Sequence, residues 1–98
     1  MKMKVFMKRI NGNIIRKTVT ATDMFYMYGY NFAVHGFIDE YGKIRRDKFT
    51  VSEMTTGFHI SDGRTKAKAI EYAQQRLKDH GKRRTISAMK RAMDDLTI

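Results

Sequence analysis

The stretch from residue 31 to residue 81 constrains the fold most, because it predicts a strand, a turn, a second strand, a tight loop and a helix in direct succession. Side chains alternate through residues 31–38, as is typical of a strand. One predicted face carries three apolar residues: Phe32, Val34 and Ile38. His35 and Phe37 lie on the opposite face. A β-hairpin supported by a helix is therefore the expected centre of the fold.

The second arm of this hairpin is strongly basic. The turn Asp39–Gly42 supplies acidic turn formers and a glycine that tolerates positive φ. Ile44 lies in the opposite phase to Phe49 and Val51, so the alternation breaks within residues 45–48, through either a bulge or a projecting tip. Both arrangements place four cations at a solvent-facing tip, where they can contact phosphate: Lys43, Arg45, Arg46 and Lys48. The alternative is a charged tip that only prevents edge-to-edge pairing of sheets.

Residues 1–20 predict an N-terminal β-hairpin. Apolar and basic residues alternate through residues 2–9, Asn11-Gly12 fits a type I′ turn, and β-branched residues follow. The basic positions of this hairpin are reserve candidates for the site: Lys2, Lys4, Lys8 and Arg16. Residues 21–30 fit either a helical turn or the beginning of the next strand. Their aromatic side chains cover the sheet in one interpretation and stack on unpaired bases in the other.

Two helices are predicted after the hairpin and short strand of residues 31–60. The first spans residues 65–80 and can be capped by Asp62 or Thr65 at its start and by Gly81 at its end. Its apolar stripe contains four residues: Ala69, Ile70, Ala73 and Leu77. The expected fold class is α+β, an antiparallel sheet of four to five strands with one long and one shorter C-terminal helix packed on one face.

The second helix spans residues 85–96 and carries a narrow apolar seam: Ile86, Met89, Met93 and Leu96. This seam packs either on the first helix or on a second copy of the chain, so a homodimer through the C-terminal helix is one expectation. Three cations between the helices complete the candidate site for nucleic acid or another partner: Lys82, Arg83 and Arg84.

The chain has 20 Lys and Arg residues against 10 Asp and Glu residues, a formal net charge of +10. The excess is spread through the chain, since residues 1–61 contain 10 of the basic and 5 of the acidic residues. Such a surface favours nucleic acid, anionic membranes or acidic proteins, although solvated lysines on a soluble protein are the simpler alternative. No apolar run approaches the ~18 residues of a membrane span. Cys is absent. We expect one cytoplasmic domain, residues 1–98, without a membrane partner.

The sequence contains no catalytic or metal-binding pattern. His35, His59 and His80 are separated by 24 and 21 residues, and the adjacent carboxylate pairs fall in a turn and at a predicted helix end. Acid–base or nucleophilic catalysis needs an oriented partner within hydrogen-bond reach. We therefore expect a non-enzymatic protein with no cofactor and no metal.

Several short motifs occur together between residues 31 and 77: Val34, Asp39-Glu40-Tyr41-Gly42-Lys43, the basic run Lys43–Lys48, Thr56-Gly57-Phe58 and Thr65-Lys66-Ala67-Lys68-Ala69. In this combination they resemble the arm-type DNA-binding domain of phage and transposon tyrosine integrases, a three-stranded sheet with one helix. The resemblance implies that a sheet face enters the DNA major groove. The chain departs from that family in the six residues between its Gly-Phe and Thr-Lys motifs, in its added hairpin and helix, and in lacking the recombinase catalytic residues.

Two functional hypotheses follow from these features. The first is a non-enzymatic binding protein of a phage or other mobile element, which neutralises the charge of nucleic acid or of a nucleoprotein complex. The second rests on similarity in kind to small stand-alone phage proteins such as anti-CRISPR proteins. It implies occupation of a CRISPR effector or another host-defence protein surface in the host cytoplasm, and not of free DNA. The first hypothesis requires the surplus cations to converge on one exposed patch.

Overall fold

The structure is a computed structural model that describes residues 1–8, 14–39 and 41–96. Within these residues the chain forms six strands and two helices: β1 (Lys2–Lys8), β2 (Ile14–Thr20), β3 (Thr22–Met27), β4 (Tyr30–Ile38), β5 (Ile44–Glu53), β6 (His59–Gly63), α1 (Lys66–His80) and α2 (Lys82–Leu96). Neither helix in the described part of the chain is long and apolar enough to cross a membrane.

The strands form two antiparallel sheets. The larger has the order β3-β4-β5-β6, and β1 and β2 pair only with each other. The predicted α+β class and the four-stranded antiparallel sheet are therefore confirmed. The N-terminal hairpin of residues 1–20 also forms, although the predicted Asn11-Gly12 turn lies outside the described residues.

Each of the two helices has 15 residues, so the prediction that the second helix is shorter than the first is wrong. Thr65 caps α1 by accepting the Lys68 N–H, and Gly81, at φ +89°, ends it. The N–H of Thr85 donates to the Gly81 carbonyl. This bond makes Thr85 part of the first turn of α2, so α2 begins at Lys82 and not at the predicted residue 85.

The main core lies between the four-stranded sheet and the helices. Its buried members come from three strands and both helices: Phe32, Val34, Val51, Ile60, Ala69, Ala73, Leu77 and Met89. The predicted stripe of α1 is confirmed, with Ile70 partly buried beside it. Close approach of helix and sheet depends on Gly63, where a Cβ would lie 2.5 Å from the Ala69 backbone nitrogen.

Hairpin β1–β2 packs on the opposite side of the large sheet. It forms a second core with Ala33 of β4: Met3, Val5, Val19, Ala21 and Ala33. Gly57 permits this docking, because a Cβ there would lie 2.6 Å from the Lys4 carbonyl oxygen. Ile38 packs against this second core. The predicted grouping of Ile38 with Phe32 is therefore wrong, because the β4–β5 register shifts between Gly36 and Ile38.

Residues 22–27, which the sequence left undecided, form the edge strand β3. A turn at Tyr28-Gly29, both with positive φ (56° and 89°), joins β3 to β4. Phe25 stacks on Phe32 with ring centroids 5.1 Å apart. Tyr28 packs against the main core, whereas Tyr26 is 71% exposed. Most of this aromatic cluster therefore covers the sheet, as one of the two interpretations predicted.

Candidate nucleic-acid interface

The tip of the β4–β5 hairpin is held by a compact turn. One carboxylate oxygen of Asp39 accepts the backbone N–H groups of Tyr41 and Lys43, each at 2.9 Å. The Gly42 N–H donates to the Asp39 carbonyl at 3.0 Å, and Gly42 has φ +83°. The predicted turn of residues 39–42 thus forms around Asp39, while Glu40 lies outside the described residues. This turn fixes the direction in which the basic arm leaves the tip.

The basic arm contains the predicted irregularity. Gly36 pairs with Phe49 but Ile38 pairs with Ile44, so residues 45–48 oppose a single residue of β4. A Cβ on Gly36 would lie 2.5 Å from the Cγ2 atom of Ile44. Glycine at position 36 therefore lets the irregular segment fold closely over β4.

The four predicted tip cations lie near one another but differ in their contacts. Lys43, Arg45 and Arg46 are exposed, and Lys48 is partly exposed. Arg45 donates two hydrogen bonds to Asp47, at 3.1 and 3.0 Å, and thereby lowers the pKa of that carboxyl group below its usual range. Both side chains of this ion pair face water, so a phosphate can replace Asp47 at little cost.

Lys48 points from the tip towards α1. Its Nζ lies 4.0 Å above the Phe37 ring, a cation–π contact. Together with Arg64 and Lys68 it lines a cavity of about 420 Å³ that also includes Asp62, Gly63 and Tyr72. The three cations come from β5, from the loop after β6 and from α1. Sequence reasoning missed Arg64 and Lys68. The sequence feature that could have predicted them is the glycine at position 63 between a strand and a helix. This glycine lets the first turn of α1 pack against the end of β6, close to both residues.

The electrostatics of this cavity remain cationic despite two nearby carboxylates. Partial burial raises the pKa of Asp62, but hydrogen bonds from Thr50 (2.6 Å) and His59 (3.1 Å) outweigh it, so the net pKa is lowered and the carboxylate is ionised. Lys68 contacts Glu71 at 3.3 Å on the exposed helix surface. Asp62 is thus the single anion among the lining residues, against three cations. We call Lys43, Arg46, Lys48, Arg64 and Lys68 the tip surface.

The predicted cations of the interhelical junction lie elsewhere. Lys82, Arg83 and Arg84 are exposed in the first turn of α2, directly after the end of α1. The start of α1 lies beside the basic arm, because Lys68 lines the same cavity as Lys48. Since α1 has 15 residues, its two ends are about 22 Å apart. The predicted cations therefore fall into two groups near opposite ends of α1, and the nucleic-acid hypothesis now rests on the group around Lys48 alone.

The reserve cations belong to the N-terminal hairpin. Lys2 and Lys4 are exposed on the face of β1 opposite buried Met3 and Val5. The side chains of Lys8 and Arg16 lie outside the described residues. A cation that the sequence did not single out, Lys17 of β2, donates through its Nζ to the Gly42 carbonyl and joins this hairpin to the tip.

The apolar seam of α2 is used within the chain. Met89 is 1% exposed and belongs to the main core, and Ile86 is partly buried. Met93 is 41% exposed, and the side chain of Leu96 lies outside the described residues. Met89 therefore packs in the chain's own core while Met93 stays exposed, and the homodimer through the C-terminal helix stays a prediction.

His35 forms the most catalysis-like contact of the described residues. Its Nδ1 lies 2.8 Å from the Gly36 carbonyl, which only accepts, so Nδ1 carries the proton and Nε2 accepts the Ser52 hydroxyl at 2.8 Å. Both side chains are buried, at 4% and 1% exposure, so no substrate reaches the Ser52 oxygen. The pKa of His35 is lowered, chiefly by burial and also by His59. The Gly36 carbonyl and Asp62 oppose the shift.

Metal binding has no candidate cluster in the described part of the chain. No three His, Asp or Glu residues there lie close enough to hold an ion. His59 is engaged with Asp62, and His80 lies at the far end of α1.

Comparison of the chain with models of known protein families, with curated proteins and with solved structures found no match.

Proposed function

We propose that this chain is a non-enzymatic protein that binds nucleic acid through the tip surface. The observation that carries the proposal is the joint lining of one cavity of about 420 Å³ by Lys48, Arg64 and Lys68. The three cations belong to separate elements and surround one concave site. There they can contact a phosphate group of a nucleic-acid backbone. Lys43 and Arg46 extend the same charge along the tip, where a neighbouring phosphate would lie.

The sheet face implied by the integrase resemblance is not the proposed contact. Hairpin β1–β2 packs on that side against Ala33 and Ile38. A groove contact through the face would require the hairpin to move and would expose Met3 and Val5. The tip surface needs no such rearrangement, and for this reason we place the nucleic acid there. The proposed origin in a phage or other mobile element rests on the sequence resemblance.

The test is the salt dependence of binding to a labelled 20-base-pair DNA duplex. Neutralising Lys48, Arg64 and Lys68 together by Gln should weaken binding and reduce the slope of log affinity against log salt by about 0.9 for each phosphate that the protein no longer neutralises. Replacement of Lys78, Lys90 and Arg91 together by Gln is the matched control, because it removes the same charge from exposed positions outside the tip surface. Equal affinity and slope for the two triple variants would contradict the proposal.

Tyr72 supplies a way to distinguish duplex from single-stranded targets. Its ring is 51% exposed at the edge of the cavity, with the Lys68 Nζ 6.0 Å from the ring centroid. A base stacked on an aromatic ring contributes about 1–3 kcal/mol. If the target is single-stranded, Tyr72→Leu should weaken binding of a 20-nucleotide strand at least fivefold and leave duplex binding unchanged.

A second candidate function is inhibition by occupying a protein or nucleoprotein surface, such as a CRISPR effector. It is favoured by two exposed apolar side chains at the tip, Tyr41 (76%) and Ile44 (48%), on either side of Lys43. Exposed aromatic and aliphatic anchors dominate protein–protein binding energy. The test is a pull-down from a CRISPR-bearing host lysate, with and without nuclease. Nuclease-resistant capture that Tyr41→Ser with Ile44→Ser abolishes, while DNA affinity is unchanged, would favour this candidate over the first.

A further inference from the structure

A second cavity, of about 440 Å³, lies at the other end of α1, away from the tip surface. It opens between β6, the last turns of α1 and the first turns of α2. Its floor is apolar and buried: Ile60, Leu77 and Met89, with 5%, 3% and 1% exposure. Phe58 and Ala88 form part of its walls, and Phe58 is 42% exposed. A concave apolar site of a few hundred Å³ has the size of a small-ligand pocket.

A buried hydroxyl group without a partner belongs to one of the residues that line this cavity. Thr85 lines it and is 1% exposed, yet its Oγ1 makes no hydrogen bond. A buried polar atom normally has a partner, because leaving it unpaired costs free energy. Thr56, which also lies beside Met89, shows the usual state, since its Oγ1 accepts the Phe58 N–H at 3.1 Å. The Thr85 hydroxyl therefore has no partner in the described part of the chain, and a ligand group can bond to it only by displacing the atoms that close it off from the cavity.

The rim of the cavity carries one cation, Arg76. Arg76 donates from one guanidinium nitrogen to the Ile60 carbonyl at 2.8 Å and keeps other donors for a ligand. His80 lies on the same rim, and Lys82–Arg84 follow it along the chain. None of the nine lining residues is acidic. His59, one of the lining residues, binds the carboxylate of Asp62, which lies outside the lining.

We propose that this cavity binds a small amphiphilic carboxylate, with the apolar body on the floor and the anionic head at Arg76. The volume limits the occupant to a small molecule or a comparably short chain, and the rim selects an anion over a neutral compound of the same shape. Thr85 donates its hydroxyl hydrogen to an oxygen of the head. This site is independent of the tip surface, so neither proposal depends on the other.

The experiment is an NMR titration of the whole chain with octanoate, followed through the methyl signals of Thr85, Met89 and Leu77. Octan-1-ol is the matched probe, because it has the same apolar chain and no charge. We expect octanoate to shift these methyl signals and to bind about tenfold more tightly than octan-1-ol. Equal affinities, or no shift of the cavity methyl signals, would overturn the proposal.

Variants separate the parts of the site. Ala88→Phe fills the cavity and should abolish octanoate binding, and Thr85→Val should weaken it about fivefold by removing one hydrogen bond. Arg76→Gln should weaken octanoate but not octan-1-ol, whereas Lys78→Gln, an equal charge change on the exposed side of α1, should alter neither. Octanoate affinity that is unchanged in Ala88→Phe would overturn the site. Displacement of octanoate by adenosine monophosphate at equal concentration would assign the cavity to nucleotides and overturn the ligand class.

Discussion

Replacing Thr85 by Val should stabilise this protein. Thr and Val have nearly the same shape and similar helix propensity, so the substitution leaves the packing around Met89 and the backbone of α2 unchanged. What changes is one atom group: a buried hydroxyl without a hydrogen-bond partner becomes a methyl group. Few single substitutions in the chain isolate one physical contribution so cleanly.

The magnitude follows from the burial of Thr85. At 1% exposure, its hydroxyl loses its hydration in the folded state and gains no partner in exchange, which costs about 1–3 kcal/mol. We expect the free energy of unfolding of Thr85→Val to rise by about 1–2 kcal/mol. For a domain of this size each kcal/mol raises the melting temperature by about 4–8 °C.

Urea unfolding followed by circular dichroism measures the effect, with Thr56→Val as the control. Thr56 is 0% exposed, but its hydroxyl oxygen accepts the Phe58 N–H, so the same substitution there should cost about 1–3 kcal/mol. We expect the free energy of unfolding to rise in Thr85→Val and to fall in Thr56→Val. A destabilised Thr85→Val variant would show that the Thr85 hydroxyl has a partner in solution, and would refute the reasoning.

Four further substitutions test the core, the end of α1 and the buried polar contacts. Because burial lowers the pKa of His35 from 6.5, the stability that neutral His35 contributes is complete above about pH 6.5 and is lost as the pH falls towards the lowered value. The free energies of unfolding measured in urea at pH 7.5 and 5.5 should therefore differ less in His35→Gln than in the wild type, by up to ~1.4 kcal/mol per pH unit. Gly63→Ala places a Cβ 2.5 Å from the Ala69 nitrogen and should lower the free energy of unfolding by about 1–3 kcal/mol. Gly81→Ala meets open space but must keep φ +89° and ψ 154°, a backbone conformation essentially restricted to glycine, and should also cost about 1–3 kcal/mol, through backbone strain alone. A thermal melt of Gly63→Ala equal to that of the wild type would contradict the packing argument. Glu53 is fully buried, and its carboxylate accepts two backbone N–H groups of the following loop. Glu53→Gln replaces one acceptor by a donor and should cost about 1–3 kcal/mol in urea unfolding. An unchanged midpoint would show that the loop does not depend on these bonds.

Local patterns in the sequence determined much of the architecture. The alternation of residues 31–38 and the turn at Asp39 predict the β4–β5 hairpin, and the stripe ending at Leu77 with its caps at Thr65 and Gly81 predicts α1. These features depend on residues within one or two turns of each other, where backbone propensity and periodicity act directly. The break in alternation at residues 45–48 likewise follows from the phase of neighbouring apolar residues.

The candidate site depended on contacts between distant residues. Lys48 meets Arg64 and Lys68 only because Gly63 lets α1 pack on the end of β6, and no periodicity within β5 contains that information. The same packing puts the length of α1 between the tip cations and Lys82–Arg84, which the sequence had grouped together. Charge and burial pattern are therefore properties of the sequence, whereas the position of each charge in space is decided by the tertiary packing that brings separate elements into contact.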